Sequence, residues 1–190
     1  MRCARFVSML VAGVSLSVRT AMAIDVTVAF DKTFDFTSAH TWGWQSDGAG
    51  DVKMARSTDD DPAAMKKAAE PVIVAAVMTE MDRRGLQFRA EGPDVHVTYY
   101  LLLTAGTSAQ EMGQFLPAVT GWGLPPFAPA TQSLEMMNHG SLVLDVSDGK
   151  MVVWRGLAKA KLKFGEQPAR REAVLRDAVR DLLKKFPPKS

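Results

Sequence analysis

The sequence predicts an α+β fold in one domain, a largely antiparallel sheet with helices packed on one face, in the order β-β-α-β-β-β-α. Three observations carry this expectation. Apolar and polar residues alternate in several short stretches, an Asp-Gly pair stands between two of them, and one apolar stripe of helical spacing closes the chain. Hairpins and grouped strands, without strict strand-helix alternation, separate this class from a doubly wound parallel sheet.

The domain is expected to begin only after residue 23. Arg2 and Arg5 precede an apolar run from Phe6 to Val18, and small residues stand at Ala21 and Ala23, the order a secretion signal requires. Ser8, Gly13, Ser15 and Ser17 interrupt the run, which is too short to span a bilayer. Cleavage after Ala23 would leave Ile24 first and place the mature chain in the periplasm, with outer-membrane association left open. The only cysteine, Cys3, lies ahead of the apolar run, so it cannot be an acylated residue at the cleavage site. Export without cysteines leaves packing alone to hold the fold. Residues 24–190 suffice for one core, since domains commonly run to about 100–150 residues.

The formal charge of +2 owes itself to that leader. Without Arg2, Arg5 and Arg19, the 23 basic side chains fall just below the 21 acidic ones. Such a balance excludes the concentrated basic surface on which nucleic-acid binding depends.

Ile24, Val26, Val28 and Phe30 alternate with Asp25 and Thr27, the period of a half-buried first strand. Thr41-Trp42-Gly43-Trp44 sets both tryptophans on one face of a second. From Asp51 to Glu70 the chain is charged and Ala-rich. Asp61 before Pro62 is a helix start, and Pro71 lacks the amide a helix interior needs, so the spacing predicts two helices, 62–69 and 71–84. The second presents Ile73, Ala76, Val77 and Met81 on one side, and Gly85 offers a left-handed stop.

Asp94 to Thr104 reads as a central strand, with Val95, Val97, Tyr99, Leu101 and Leu103 on one face and both His96 and Leu102 on the other. Ser141 to Val146 and Met151 to Phe164 flank Ser147-Asp148-Gly149-Lys150, which suits a tight hairpin turn. In the last strand Trp154, Ala158 and Ala160 alternate with Arg155, Lys159, Lys161 and Lys163, which predicts a solvated lysine face that discourages edge pairing. Pro168 to Phe186 is the clearest helix. Its stripe of Leu175, Val179, Leu182 and Phe186 is expected to share one core with Trp154.

These stretches together resemble the DUF4136 family, an uncharacterised bacterial domain often associated with lipoproteins. The resemblance lies in Phe34-Asp35-Phe36 leading to Thr41-Trp42-Gly43-Trp44, in Glu70-Pro71 and Arg84-Gly85-Leu86, and in Pro93-Asp94-Val95. It continues through Gly140-Ser141-Leu142-Val143-Leu144-Asp145-Val146, Val153-Trp154-Arg155-Gly156 and Lys185-Phe186-Pro187-Pro188. The chain departs from the family pattern in lacking a lipobox cysteine. The family has no assigned activity, so the resemblance implies a fold and a compartment and no chemistry.

Motifs that would carry catalysis do not emerge. His40, His96 and His139 are far apart, and none has a partner at metal-ligand spacing. Asp59-Asp60-Asp61 lacks the staggered oxygen ligands and distal Glu of a calcium loop, and is explained by helix capping and solvation. Gly149-Lys150 lacks the rest of a phosphate loop, and no serine stands in G-x-S-x-G. No catalytic residue, metal or cofactor is therefore singled out.

The segment 107–132 differs in kind. Phe115, Leu116, Trp122, Leu124 and Phe127 stand among glycines and prolines with one charge, Glu111. Connections this long are uncommon in compact domains, and large apolar side chains gain by leaving water. Two readings follow: a lid on the domain's own sheet, or a contact for an envelope protein or apolar ligand anchored by Phe115, Trp122 and Phe127. The leading expectation is a non-enzymatic binding module. A periplasmic hydrolase or metal-dependent enzyme, and a structural subunit of an envelope assembly, are the alternatives.

Overall fold

The computed structural model describes residues 24–55, 61–104, 140–160 and 167–188. The leader and the segment 107–132, with Phe115, Trp122 and Phe127, lie outside the described residues. The described strands are β1 (Asp25–Phe30), β2 (Thr41–Trp44), β3 (Gly50–Ala55), β4 (Gln87–Phe88), β5 (Val95–Thr104), β6 (Gly140–Ser147) and β7 (Val152–Ala160). They form one sheet in the order β1-β7-β6-β5-β2-β4, with β3 also on β5. Among the described residues two α-helices, α1 (Pro62–Asp82) and α2 (Pro168–Leu183), pack on one face, and the architecture is α+β as expected.

The sheet is mixed. β1, β5, β6 and β7 pair antiparallel, as the hairpin signals predict, whereas β2 and β3 run parallel to β5, and β4 runs parallel to β2. Parallel neighbours need a crossover, and α1 supplies it between β3 and β5. β2 and β3 follow one another along the same edge of β5, Trp42 beside Val95 and Gly50 beside Tyr99. The break between them is bridged where Gln45 N–H donates to Val97 O and Tyr99 N–H donates to Ala49 O. A Cβ on Gly50 would meet the Tyr99 carbonyl and ring, so this approach requires glycine.

Pro71 does not divide the helix. α1 is continuous from Pro62 to Asp82, in place of the two helices expected. Asp61 caps it by accepting from Ala63 N–H at 2.9 Å. Pro71 and Lys67 are both exposed, so the Lys67 carbonyl that Pro71 leaves unbonded faces water, which makes the interruption tolerable. The buried stripe is Ala69, Ile73, Val77 and Met81.

β7 also departs from expectation. It lies between β1 and β6, not at an edge, because β1 covers its far side. Arg155 is accordingly buried and Lys159 half-buried, while Lys161 and Lys163 fall outside the described residues.

Trp154, Leu175, Val179 and Leu182 do share one core. Trp154 and Gly156 point to the same face, and a Cβ on Gly156 would press on the Trp154 ring and come within 2.8 Å of Leu182. Glycine there lets the indole lie along the strand beneath α2, and Phe186 packs edge-on against it with ring centroids 5.4 Å apart. Arg84 joins the helix ends: its Nε donates to the carbonyls of Leu183 and Phe186, and its Nη1 to Glu80.

Asp94 fastens β2 to β5. Its Oδ2 accepts from His40 N–H at 3.0 Å and from Thr41 N–H and Oγ1 at 2.8 Å each, while Thr41 Oγ1 accepts from Asp94 N–H. These bonds hold the Asp94 carboxyl below its ordinary value of 3.8.

Leu182 has no exposed surface, so Leu182→Ala should cost about 2–5 kcal/mol, read as a lower urea midpoint at unchanged slope. Asp94 generates a pH-dependent expectation. Because its folded value is depressed, its contribution is complete above pH 3.8 and is lost as pH falls through the lower folded value. The urea midpoints of the wild type and Asp94→Asn should thus differ at neutral pH and converge in acid. A gap independent of pH would contradict this role.

Candidate functional site on the second face of the sheet

Val95, Val97, Tyr99 and Leu101 of β5 face the helices, and alternation turns His96, Thr98, Tyr100 and Leu102 the other way. Register carries this second face across the sheet. Thr98 stands beside Asp145 and Asp145 beside Arg155, Tyr100 beside Val143 and Val143 beside Leu157, and Leu102 beside Ser141. Asp51 and Lys53 of β3, and Asp25 and Thr27 of β1, end the rows. The face therefore has an apolar centre with one ion pair and a charged rim.

Leu102, Val143 and Leu157 are buried there, although among the described residues no helix packs on this side. Asp145 and Arg155 are each 4% exposed. Arg155 donates through Nε to Oδ1 and through Nη2 to Oδ2, both at 2.6 Å, the two-pronged geometry in which guanidinium and carboxylate match. Burial pushes the Asp145 carboxyl up from its ordinary range, and the two bonds from Arg155 work against that push. Burial, then the nearby Asp145 charge, pushes the Tyr100 phenol up as well.

Toward the β6–β7 turn, His96 stands beside Ser147, whose hydroxyl accepts from Gln45 Nε2 at 3.3 Å. The Nδ1 of His96 is buried and has no hydrogen-bond partner among the described residues. His40 is exposed at the start of β2, and His139 lies outside the described residues. Among the described residues no three His, Cys, Asp or Glu side chains converge as a metal-binding group. No helix among them is long and apolar enough to cross a membrane.

Phe115, Trp122 and Phe127 belong to the connection between β5 and β6, whose ends are held side by side by the pairing of Leu103 with Gly140. The Asp145–Arg155 pair was not singled out from sequence. A partial signal existed: each is the one charge inside its apolar run, but the β6–β7 register is irregular at Val146/Ser147, so counting outward from Asp148-Gly149 does not pair them.

The family model described as a domain of unknown function (DUF4136) matches residues 26–188. The chain belongs to the DUF4136 family. Among solved structures, it is similar to a DUF4136 family protein from Bacteroides thetaiotaomicron VPI-5482. That match has 19% identity and a TM-score of 0.51, covering 86% of this chain and 96% of that one. It is also similar to a PDZ domain protein from Parabacteroides distasonis ATCC 8503, at 13% identity and a TM-score of 0.51, covering 89% of this chain and 38% of that one. At these identities the likeness is one of fold. No curated protein matches the chain.

In this DUF4136 chain the stretches that carry the family resemblance take definite structural places. Trp154 fills the core, Gly156 makes room for it, and Arg155 between them turns to the second face. Glu70 accepts from the buried Tyr99 hydroxyl at 2.7 Å and so ties α1 to β5. Asp94 pins β2, and Arg84 binds the ends of the two helices.

Removing one member of a buried pair strands the other. Arg155→Met alone should therefore destabilise the domain by about 3–5 kcal/mol, and adding Asp145→Leu should recover most of that loss. Urea unfolding of both single variants and the double variant checks it. A double variant as unstable as the sum of the singles would show that the two side chains do not act as a pair.

Proposed function

We propose that this chain is a non-enzymatic binding module of the bacterial envelope. It is exported by its leader, and it takes an envelope protein or an apolar ligand on the segment 107–132 together with the second face of the sheet. The observation that supports this most is the placement of that segment's roots. Leu103 and Gly140 are paired, so the stretch with Phe115, Trp122 and Phe127 springs from the two strands that carry the apolar centre of the second face.

The charge at that centre favours recognition over catalysis. Asp145 engages both carboxylate oxygens with Arg155, and the pair is buried as a closed, charge-neutral unit. Aromatic side chains carried by such a connection are the residue types that dominate binding energy at interfaces. The charged rim, Asp25, Asp51 and Lys53, would orient a partner more than hold it.

A photo-crosslinking residue at position 122, introduced in intact cells, tests this against the same residue at Lys67 on the exposed side of α1. Position 122 should yield an adduct of discrete mass and position 67 none, and the recovered protein should begin at Ile24. Equal adducts at both positions, no adduct at 122, or an intact Met1 end would each overturn the proposal.

A further inference from the structure

On the helical side of the sheet, away from the face just described, α1 and α2 leave a groove between their N-terminal halves. Met65, Ala68 and Ala69 of α1, Leu101 of β5 and Leu175 of α2 line it, and Arg171 stands in its wall. It is an open groove with an almost wholly apolar lining. Alanine at 68 and 69 is the reason it exists, since a larger side chain at either position would close the space between the helices.

The groove's polar groups are uneven. Glu172 is engaged by Arg176 at 3.3 Å. Arg171 is half-buried and has no carboxylate partner among the described residues. Among the described residues no acidic side chain stands in the first turn of α2 and Gln167 gives it no side-chain cap, so the positive end of the helix dipole adds to the charge of Arg171. An apolar slot walled by a guanidinium that has no carboxylate partner among the described residues matches a molecule with an alkyl tail and an anionic head.

We infer that this groove binds a free single-chain amphiphile, its unbranched tail along Ala68, Ala69 and Leu101 and its carboxylate on Arg171. The tail gains by leaving water, and each methylene that enters adds to the affinity until the groove is filled. The head gains a charge-assisted two-pronged bond that a hydroxyl or a cation cannot form.

Isothermal titration of the purified chain with dodecanoate, below its micellar concentration, tests the site. Binding should be one to one, and about tenfold or more tighter than octanoate or dodecyltrimethylammonium. Arg171→Gln should weaken dodecanoate by about tenfold or more and leave the cationic amphiphile unchanged. Ala68→Trp, at an exposed position, should abolish binding while thermal unfolding stays as in the wild type. Should that variant unfold, the head-group selectivity lost in Arg171→Gln decides alone. No binding at millimolar dodecanoate, equal binding of the cation, or full binding by folded Ala68→Trp would overturn the inference. So would binding to phosphatidylglycerol vesicles in place of the monomer. Trp122→Ala should leave dodecanoate binding intact, so this inference and the sheet-face proposal fail separately.

Discussion

The close approach of α2 to β7 at Gly156 is the contact on which the rest of the molecule depends. Without a side chain at 156, the Trp154 indole lies flat along the strand, and Leu182 and Phe186 descend onto it. That seating fixes the C-terminal end of α2, and Arg84 then brings α1 to the same place by bonding the last carbonyls of α2 while holding Glu80. Both helices are thus referenced to one tryptophan. Because side chains alternate along a strand, committing Trp154 to the helical face commits Arg155 to the other. The ion pair with Asp145 follows from the same choice.

This coupling explains why the second face is both buried and polar at its centre. An isolated Arg155 in that position would be severely penalised, and the neighbouring strand offers Asp145 at the registered position. The β6–β7 register, with its irregularity at Val146/Ser147, sets the two side by side. What it contributes is definition: a one-residue slip would send Asp145 and Arg155 into the helical core and Trp154 out of it.

Where local chemistry decided the outcome, the sequence was legible. β1, β2, β5, the β6–β7 hairpin and α2 all carried clear periodicity, and Trp154, Leu175, Val179 and Leu182 were readable as one core from spacing alone. The failures have tertiary causes. β3 was hidden because its short alternation, Asp51-Val52-Lys53, sits inside a charged and Ala-rich stretch, and its pairing depends on Tyr99, far along the chain. β4 has two residues and no period to read. Pro71 looked like a boundary because its exposure could not be known, and β7 looked like an edge because its partner β1 is nearly the whole domain away in sequence. At the candidate site the buried pair was not legible, because the register that joins Asp145 to Arg155 is not the one a two-residue turn at Asp148-Gly149 would set.

That remote partnership sets an order of events during synthesis. Residues 25–30 leave the ribosome ahead of the other described strands, yet among the described residues their strand partner is residues 154–159, so β1 waits for it until most of the chain exists. Its half-buried Val26, Val28 and Phe30 must stay out of wrong pairings throughout that interval. The sheet therefore closes from the C-terminal side, the hairpin of β6 and β7 offering short-range contacts early and β1 arriving last. A nascent chain released before Ala160 has no completed sheet and an exposed apolar strand at its front, the form that holding chaperones and proteases recognise.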